Sequence, residues 1–138
     1  MLTDFKSHIA SNFPSLLKDR VLIACSGGLD SGVLTHLCHA IGINIAIAHC
    51  NFRLRGLESD ADEVFVEQLA KQLRKEYFVT HFDTLAYVNQ QKVSVQMAAR
   101  ELRYTWFDGL LKINGFTKVL TAHHLDDNLE TFLINLSR

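Results

Sequence analysis

Four short runs of apolar residues, separated by longer segments of helical periodicity, limit what this chain can fold into. The runs cover residues 21–25, 43–49, 77–82 and 118–122. Runs without polar alternation are typical of strands in a parallel sheet that is buried on both faces. The alternation of strands and helices therefore predicts an α/β fold with helices on both faces of the sheet.

The segments beside these runs carry apolar residues at the spacing of amphipathic helices. They cover residues 3–13, 33–41, 59–73 and 95–113, and a last one begins near Asp126. Residues 1–138 are therefore predicted to form one three-layer, Rossmann-like domain. We expect a strand order of about 3-2-1-4-5, which reverses direction beside the first strand.

The third helix carries a pattern that is typical of a helix start. Ser59, followed three residues later by Asp62, resembles a capping box with Asp in place of the usual Glu. The pattern predicts that the helix begins near Ser59. Its inward-facing residues are then expected to be Ala61, Phe65, Leu69 and Leu73.

Composition fits one soluble domain and excludes several classes of protein. Of the 138 residues, 48% are hydrophobic, and no apolar run reaches the roughly 20 residues that cross a membrane. Cys25, Cys38 and Cys50 lack C-x-x-C spacing, and no signal peptide is recognisable, which predicts reduced thiols and a cytoplasmic location. A net charge of −1 gives no sign of a nucleic-acid surface, so the chain alone is not expected to hold RNA.

A glycine-rich string follows the first predicted strand and opens the next helix. Adjacent glycines let backbone N–H groups approach a ligand closely, and the helix start favours an anion there. A plain strand–helix turn capped by Asp30 or Ser31 is the alternative. The string matches neither a Walker A loop nor the G-x-G-x-x-G fingerprint. It predicts a phosphate site formed by Ser26, Gly27, Gly28, Leu29, Asp30 and Ser31.

A second polar cluster follows the fourth predicted strand. It begins with His123 and His124, and Asp126, Asp127 and Glu130 then share one side of the predicted helix. Acids that merely favour a helix start are the alternative, and a zinc site is disfavoured because no further ligands have suitable spacing. The first and fourth strands are neighbours in the predicted order, so both clusters are expected to face one crevice.

The string at residues 26–31 resembles the PP-loop of the N-type ATP pyrophosphatases, which have an adenine nucleotide alpha hydrolase-like fold. The resemblance implies that ATP is cleaved between its α and β phosphates while the loop holds pyrophosphate. It also implies that Asp30, with Asp127, binds Mg²⁺, and that His123 helps to bind the nucleotide.

Two further segments narrow the resemblance. Taken alone, Arg53 and Arg55 are typical of an exposed loop, and Arg100 and Arg103 of a solvated helix face. Together with the other motifs, residues 53–63 and 98–104 are similar to the tRNA(Ile)-lysidine synthetases. That family adenylylates the wobble cytidine of tRNA(Ile) with a CAU anticodon and then attaches free lysine. The resemblance implies that tRNA is bound mostly by regions outside this chain, and that the catalytic residues are Asp30, Arg100, Arg103, Asp126 and Glu130.

Two alternatives remain open. One is another PP-loop enzyme, such as a tRNA thiolation enzyme, GMP synthetase or NAD synthetase, although thiolation enzymes usually carry C-x-x-C cysteines. The other is a non-catalytic nucleotide-binding module that resembles the universal stress proteins. The first class releases pyrophosphate, whereas the second binds ATP without producing AMP.

Overall fold

A parallel sheet of four strands runs through the centre of residues 2–122, which are the part of the chain that the structure, a computed structural model, describes. The strands are β1 (Arg20–Ala24), β2 (Asn44–Asn51), β3 (Tyr77–His81) and β4 (Lys118–Thr121). Their order is β3-β2-β1-β4. This confirms the predicted order 3-2-1-4, and the fifth strand of the prediction is not among the described residues.

The register of the sheet brings three strand ends into line. Ala24 at the end of β1 pairs with Ala48 of β2 and with Thr121 of β4. Because all strands are parallel, the segments that leave β1 and β4 start from the same edge of the sheet. The strand order reverses between β1 and β4, which is where open α/β sheets bind their ligands.

Five α-helices connect and cover the described strands. Residues Pro14–Leu17 form one turn of 3₁₀ helix, which begins with proline because the fixed φ of proline suits a helix start. None of the helices within residues 2–122 has the length and apolar character needed to span a membrane. The helices are α1 (Leu2–Asn12), α2 (Leu29–Ala40), α3 (Leu57–Leu73), α4 (Thr84–Gln91) and α5 (Val95–Asn114).

The helices lie on both faces of the sheet, as predicted. On one face, Ile23 of β1 packs against Phe5 of α1 and Leu34 of α2. On the other face, Leu22, the residue that precedes Ile23 in β1, packs against Phe107 of α5. Successive strand residues point to opposite faces, so this alternation buries β1 on both sides and gives the domain three layers.

Helix α3 begins earlier than its sequence predicts. It starts at Leu57, and its N-cap is Gly56 with φ +58°, a value that glycine adopts without strain. The Ser59 hydroxyl accepts a hydrogen bond from the Arg55 N–H at 3.1 Å. The predicted capping role of Ser59 is therefore wrong, because its hydroxyl orders the residues before the helix instead.

The buried face of α3 is also partly different from the prediction. Leu69 is buried and Leu73 packs against the same cluster, as expected, but Ala61 and Phe65 are exposed. The helix meets the sheet edge only along its second half, so residues near its start remain at the surface. The fully buried residues of α3 are Val66, Leu69 and Ala70.

All three cysteines are free thiols, as predicted. Burial raises the pKa of Cys38 to about 12. Burial also raises the pKa of Cys50 to about 12, although the positive charge of Arg103 opposes this shift. Thiols with such pKa values carry almost no thiolate at neutral pH.

Candidate functional site

The glycine loop leaves the carboxyl end of β1 and leads directly into α2. Gly27 has φ +91°, in the region that side-chain-bearing residues rarely adopt. A Cβ on Gly27 would lie 2.6 Å from Cβ of Asp62 and 3.0 Å from its Cα. Gly28 is the N-cap of α2 and has ordinary extended backbone. Glycine is therefore required at position 27 for both conformation and space, because α3 packs directly on the loop.

Ser31 holds the loop together from inside. Its side chain is buried, and its hydroxyl oxygen accepts from the Ser26 N–H at 3.1 Å and donates to the Gly28 carbonyl at 3.2 Å. The Ser26 hydroxyl accepts from the Gly28 N–H at 3.2 Å. The loop is thus closed by its own hydroxyl groups. A contact between Ser31 and phosphate stays a prediction. In the structure, the Ser31 hydroxyl makes its hydrogen bonds within the loop.

His49 anchors the strand end from which the loop departs. The ring is buried, and its Nδ1 lies 2.7 Å from the carbonyl oxygen of Cys25. A carbonyl can only accept, so Nδ1 carries the proton of this bond. The Nε2 atom is buried without a hydrogen-bond partner in the described part of the chain. His49 was not predicted as a site residue. Its position at the end of a buried apolar run was the one feature of the sequence that could have indicated a role in the site.

A cavity of about 300 Å³ lies at the carboxyl ends of β1, β2 and β4. It lies where the strand order reverses and is bounded by the first turns of α3 and by the middle of α5. Apolar side chains supply most of its wall. The lining residues are Ala24, Cys25, Ser26, Ala48, His49, Cys50, Asn51, Phe52, Leu54, Arg55, Ser59, Asp62, Arg103, Phe107, Thr121 and Ala122.

The structure separates the two arginines that were predicted on α5. Arg103 lines the cavity together with Ser26, and its Nε is buried without a hydrogen-bond partner among residues 2–122. Arg100 is exposed and is not among the lining residues. Both guanidinium groups lie over the Tyr104 ring, with Cζ 5.5 Å from its centroid for Arg100 and 5.2 Å for Arg103. A guanidinium with a buried, unpaired N–H group has a hydrogen bond left to give, so Arg103 is the better placed of the two to meet a ligand.

Arg55 and Asp62 bring a further charged pair to the same cavity. An Arg55 Nη atom bonds to an Asp62 carboxylate oxygen, and both side chains line the cavity. The prediction of an exposed loop describes Arg55 only in part, because its side chain is 60% exposed but faces the site. Residues 53–63, to which Arg55 and Asp62 belong, were predicted as a family feature, and no role in the site was predicted for their side chains.

The remaining predicted residues divide into two groups. Leu29 and Asp30 occupy the first turn of α2 and do not line the cavity; Leu29 is 80% exposed. His123, Asp126, Asp127 and Glu130 lie outside the described residues. Within residues 2–122, no group of three or more His, Cys, Asp or Glu side chains could hold a metal ion. Asp30 is the carboxylate of the loop itself, and Mg²⁺ typically uses one or two carboxylates beside phosphate oxygens.

Fold and site together define an α/β protein with an anion-suited glycine loop at the switch point of its sheet. The chain belongs to the PP-loop domain family, whose sequence model matches residues 1–138.

Similar proteins include two bacterial tRNA(Ile)-lysidine synthases. The one from Bacteroides thetaiotaomicron is 45% identical over 120 residues, which make up 87% of this chain and 28% of that protein. The one from Porphyromonas gingivalis strain W83 is 48% identical over 118 residues, covering 86% of this chain and 26% of that protein. The chain thus spans little more than a quarter of the length of these curated relatives.

Solved structures with the same fold are more distant in sequence. An NH₃-dependent NAD synthetase from Campylobacter jejuni superposes with a TM-score of 0.71 at 15% identity, covering 90% of this chain and 57% of that one. An NMN synthetase from Francisella tularensis gives a TM-score of 0.64 at 15% identity, covering 86% and 51%. These likenesses confirm the predicted Rossmann-like fold.

Proposed function

We propose that this chain supplies the ATP site of an enzyme that forms lysidine in tRNA(Ile). The observation that carries the proposal is the meeting of the glycine loop, through Ser26, with the Arg103 side chain in one cavity at the switch point, where the Arg103 Nε has no hydrogen-bond partner within residues 2–122. The names of the relatives with 45% and 48% identity support the choice of RNA substrate. The charge of −1 fits a chain that leaves most of the tRNA contact to other regions.

The loop is proposed to hold the pyrophosphate part of ATP. Its amides are at the start of α2, where the helix dipole favours negative charge. The Gly28 N–H, which now donates to the Ser26 hydroxyl, would donate to a phosphate oxygen, and that hydroxyl would then become a second donor. Ser31 would act by keeping Ser26 and Gly28 in place, since its own oxygen is engaged with both.

Asp30 is proposed to bind Mg²⁺ together with Asp127 and the phosphates. Asp30 lies in the first turn of α2, next to the loop amides. A carboxylate near a triphosphate would be repelled unless a cation lay between them, which is the physical reason for this assignment. Bound Mg²⁺ would neutralise charge on the phosphate oxygens.

Arg103 is proposed to stabilise negative charge that develops on the transferred phosphoryl group. A guanidinium in a largely apolar cavity interacts strongly with an anion because little water competes with it. Arg100, Asp126 and Glu130 are proposed to orient ATP and lysine, and His123 to contact the nucleotide. The carboxylates of Asp126 and Glu130 are suitable partners for lysine, because lysine carries positively charged amino groups.

The proposed reaction has two steps. The carbonyl oxygen of the wobble cytidine attacks the α-phosphorus of ATP, the bond between the α-phosphorus and the bridging oxygen breaks, and pyrophosphate leaves. The amine of lysine then attacks the activated ring carbon, its carbon–oxygen bond breaks, and AMP leaves. The lysine nitrogen loses a proton in this second step.

A pyrophosphate-release assay on the intact protein tests the proposal. Release that requires both lysine and unmodified tRNA(Ile), with AMP and lysidine formed in equal amounts, is the expected result. Release that needs a sulfur donor or another acceptor would favour a different PP-loop enzyme. ATP binding without turnover under any of these conditions would favour a binding module and contradict the proposal.

A further inference from the structure

Arg55 approaches the cavity from the opposite side of the sheet to Arg103. Helix α3, which follows Arg55, packs through Val66 on the face that holds Ile47, whereas α5 packs through Phe107 on the other face. The two guanidinium groups therefore reach the carboxyl edge of the sheet from its two sides. A ligand in this cavity would lie between them.

A short chain of contacts connects Arg55 to the glycine loop. The Arg55 guanidinium bonds to Asp62, and Asp62 packs so closely on Gly27 that a side chain there would collide with it. The Arg55 backbone N–H is held by Ser59, and Ser59 also lines the cavity. The guanidinium thus lies one side chain away from the amides proposed to hold phosphate.

The charges on the cavity wall favour an anionic ligand. Of the described lining residues, Arg55 and Arg103 carry permanent positive charge and Asp62 is the single acid. The Arg103 Nε lacks a partner in the same part of the chain. A polyphosphate would supply acceptors for both guanidinium groups, whereas a neutral ligand would leave this hydrogen-bonding capacity unused.

Arg55 can exchange its present ion pairs, with Asp62 and Glu58, for contacts with a ligand. The Arg55 side chain is 60% exposed, although the carboxylate of its main partner, Asp62, is only 28% exposed. Its second ion pair, to Glu58, has an N–O distance of 3.5 Å and a largely exposed carboxylate. Exposed ion pairs contribute little to stability because water screens them. Phosphate oxygens match the planar guanidinium in a two-pronged contact that is stronger than such a surface pair.

We propose that Arg55 is a phosphate-contact residue, which leaves Asp62 and binds the polyphosphate of the nucleotide when the nucleotide enters the cavity. The proposal rests on the proposed function in one respect, that this cavity takes ATP. In the free protein, Asp62 keeps the guanidinium beside the loop. Arg55 and Arg103 then hold the polyphosphate from the two sides of the sheet.

The test measures nucleotide binding by the intact protein and its variants with ATP, adenosine and inorganic pyrophosphate as separate ligands. Arg55→Gln removes the positive charge, and Arg55→Lys keeps the charge but loses the two-pronged contact. Arg53→Gln is the matched control, because it makes the same charge change two residues away on a side chain that does not line the cavity. Thermal unfolding of each variant checks that the fold is retained.

We expect Arg55→Gln to weaken binding of ATP and pyrophosphate at least tenfold and to leave adenosine binding unchanged. Arg55→Lys should lose about threefold, and Arg53→Gln less than twofold. Equal ATP binding by Arg55→Gln and Arg53→Gln would overturn the role of Arg55, and so would equal weakening of ATP and adenosine.

Lysidine formation, measured in parallel with the wild-type protein, separates this proposal from the proposed function. Normal ATP binding that depends on Arg55, without any lysidine product, would contradict the function and leave the phosphate contact supported. Wild-type protein that binds neither ATP nor pyrophosphate would overturn both.

Discussion

Residues 26–31 and residues 53–59 both reach the cavity, the first through Ser26 and the second through Leu54, Arg55 and Ser59, and the polar side chains of the two segments differ in their partners. In residues 26–31, the Ser26 and Ser31 hydroxyls bond to the loop's own backbone. In residues 53–59, Ser59 likewise accepts from the Arg55 N–H, but the Arg55 guanidinium bonds to the exposed carboxylate of Glu58 and the half-buried carboxylate of Asp62.

This difference indicates a division of labour. A segment that is closed by hydrogen bonds among its own groups keeps its geometry whether or not a ligand is present, which is preorganisation. A largely exposed guanidinium that is held by ion pairs can change partners at little cost in free energy. The glycine loop is therefore expected to resist substitution strongly, whereas residues 53–59 are expected to influence ligand binding more than stability.

The largest effect is expected for Gly27→Ala. The new Cβ would lie 2.6 Å from the Asp62 Cβ, and φ +91° would strain the alanine. We expect a loss of about 2–4 kcal/mol in the free energy of unfolding, from overpacking and the unfavourable backbone region together. Urea unfolding measures this loss, and ATP binding should fall in parallel.

Gly28→Ala is the matched control for this substitution. Within residues 2–122, a Cβ at Gly28 would meet only the Ser26 hydroxyl oxygen, at 3.4 Å, and the Gly28 backbone is in the extended region. A change below about 1 kcal/mol is expected. If the two variants were equally destabilised, the close packing of α3 on the loop would not be what constrains position 27.

A smaller loss is expected for Ser31→Ala. The substitution leaves the Ser26 N–H without the hydroxyl to which it donates, whereas the Gly28 carbonyl keeps its second donor, the Gly32 N–H. An unsatisfied buried group costs about 1–3 kcal/mol, and because this turn is only partly buried we expect a loss of about 1–2 kcal/mol in unfolding free energy. Ser26→Ala, which removes an exposed hydroxyl, should cost less than half as much. A reversed order in chemical unfolding would contradict the view that Ser31 holds the loop together.

The fold was predictable because its strongest signals are local. The apolar runs that became β1 and β4, such as Val21 to Ile23, needed no knowledge of their neighbours to be read as buried strands. Helix α4 lies outside the predicted elements because its eight residues are fewer than the roughly 11–18 over which helical periodicity is recognised, although Asp83 caps it by accepting from the Ala86 N–H. The start of α3 was missed because Gly56 caps it through its backbone conformation, which side-chain patterns do not reveal.

The site was predictable only in those residues that belong to a recognisable string. The loop at residues 26–31 and Arg103 came from motifs, and the structure brings Ser26 and Arg103 to one cavity. His49 and Asp62 were not selected, because their importance arises from contacts across the fold, to the Cys25 carbonyl and to Gly27. The position of His49 at the end of an apolar run marks it in the sequence as an unusual residue, but the contacts themselves, between distant parts of the chain, leave no pattern there.

The two arginines of α5 provide a further comparison, between a side chain that lines the cavity and one that does not. Arg103→Gln is expected to weaken ATP binding about tenfold, or about 1.4 kcal/mol, because it removes a cation that lines the cavity. Its unfolding free energy should change by less than about 1 kcal/mol, since the Nε has no partner within residues 2–122 and the contact of the guanidinium with the Tyr104 ring, 5.2 Å from Cζ to the centroid, is a modest one. Arg100→Gln makes the same charge change on the same helix, but on a side chain that does not line the cavity. Isothermal titration should show a clearly smaller loss of ATP binding for Arg100→Gln than for Arg103→Gln; equal losses for the two variants would remove the distinction between them.

The smallest effect, and the one that tests how residues 53–59 are anchored, is expected for Glu63→Gln. The Asn51 side chain accepts from the Arg53 N–H and donates to Glu63 at 3.0 Å, so Glu63 helps to hold the start of this segment. Partial burial opposes ionisation of Glu63, but hydrogen bonds from Asn51 and His81 and the positive charge of His81 outweigh it and lower the pKa of Glu63 below its ordinary value of 4.5.

A carboxylate with a lowered pKa in the folded state stabilises the protein above its unfolded-state pKa, and this contribution is lost as pH falls through the folded-state pKa. Wild-type protein should therefore lose stability below about pH 4.5, and Glu63→Gln should show a flatter dependence in that range. At pH 7 the variant should be less stable by about 1 kcal/mol or less. Unfolding free energies from pH 7 down to pH 3 provide the measurement, and parallel curves for the two proteins would show that Glu63 does not anchor the segment through its charge.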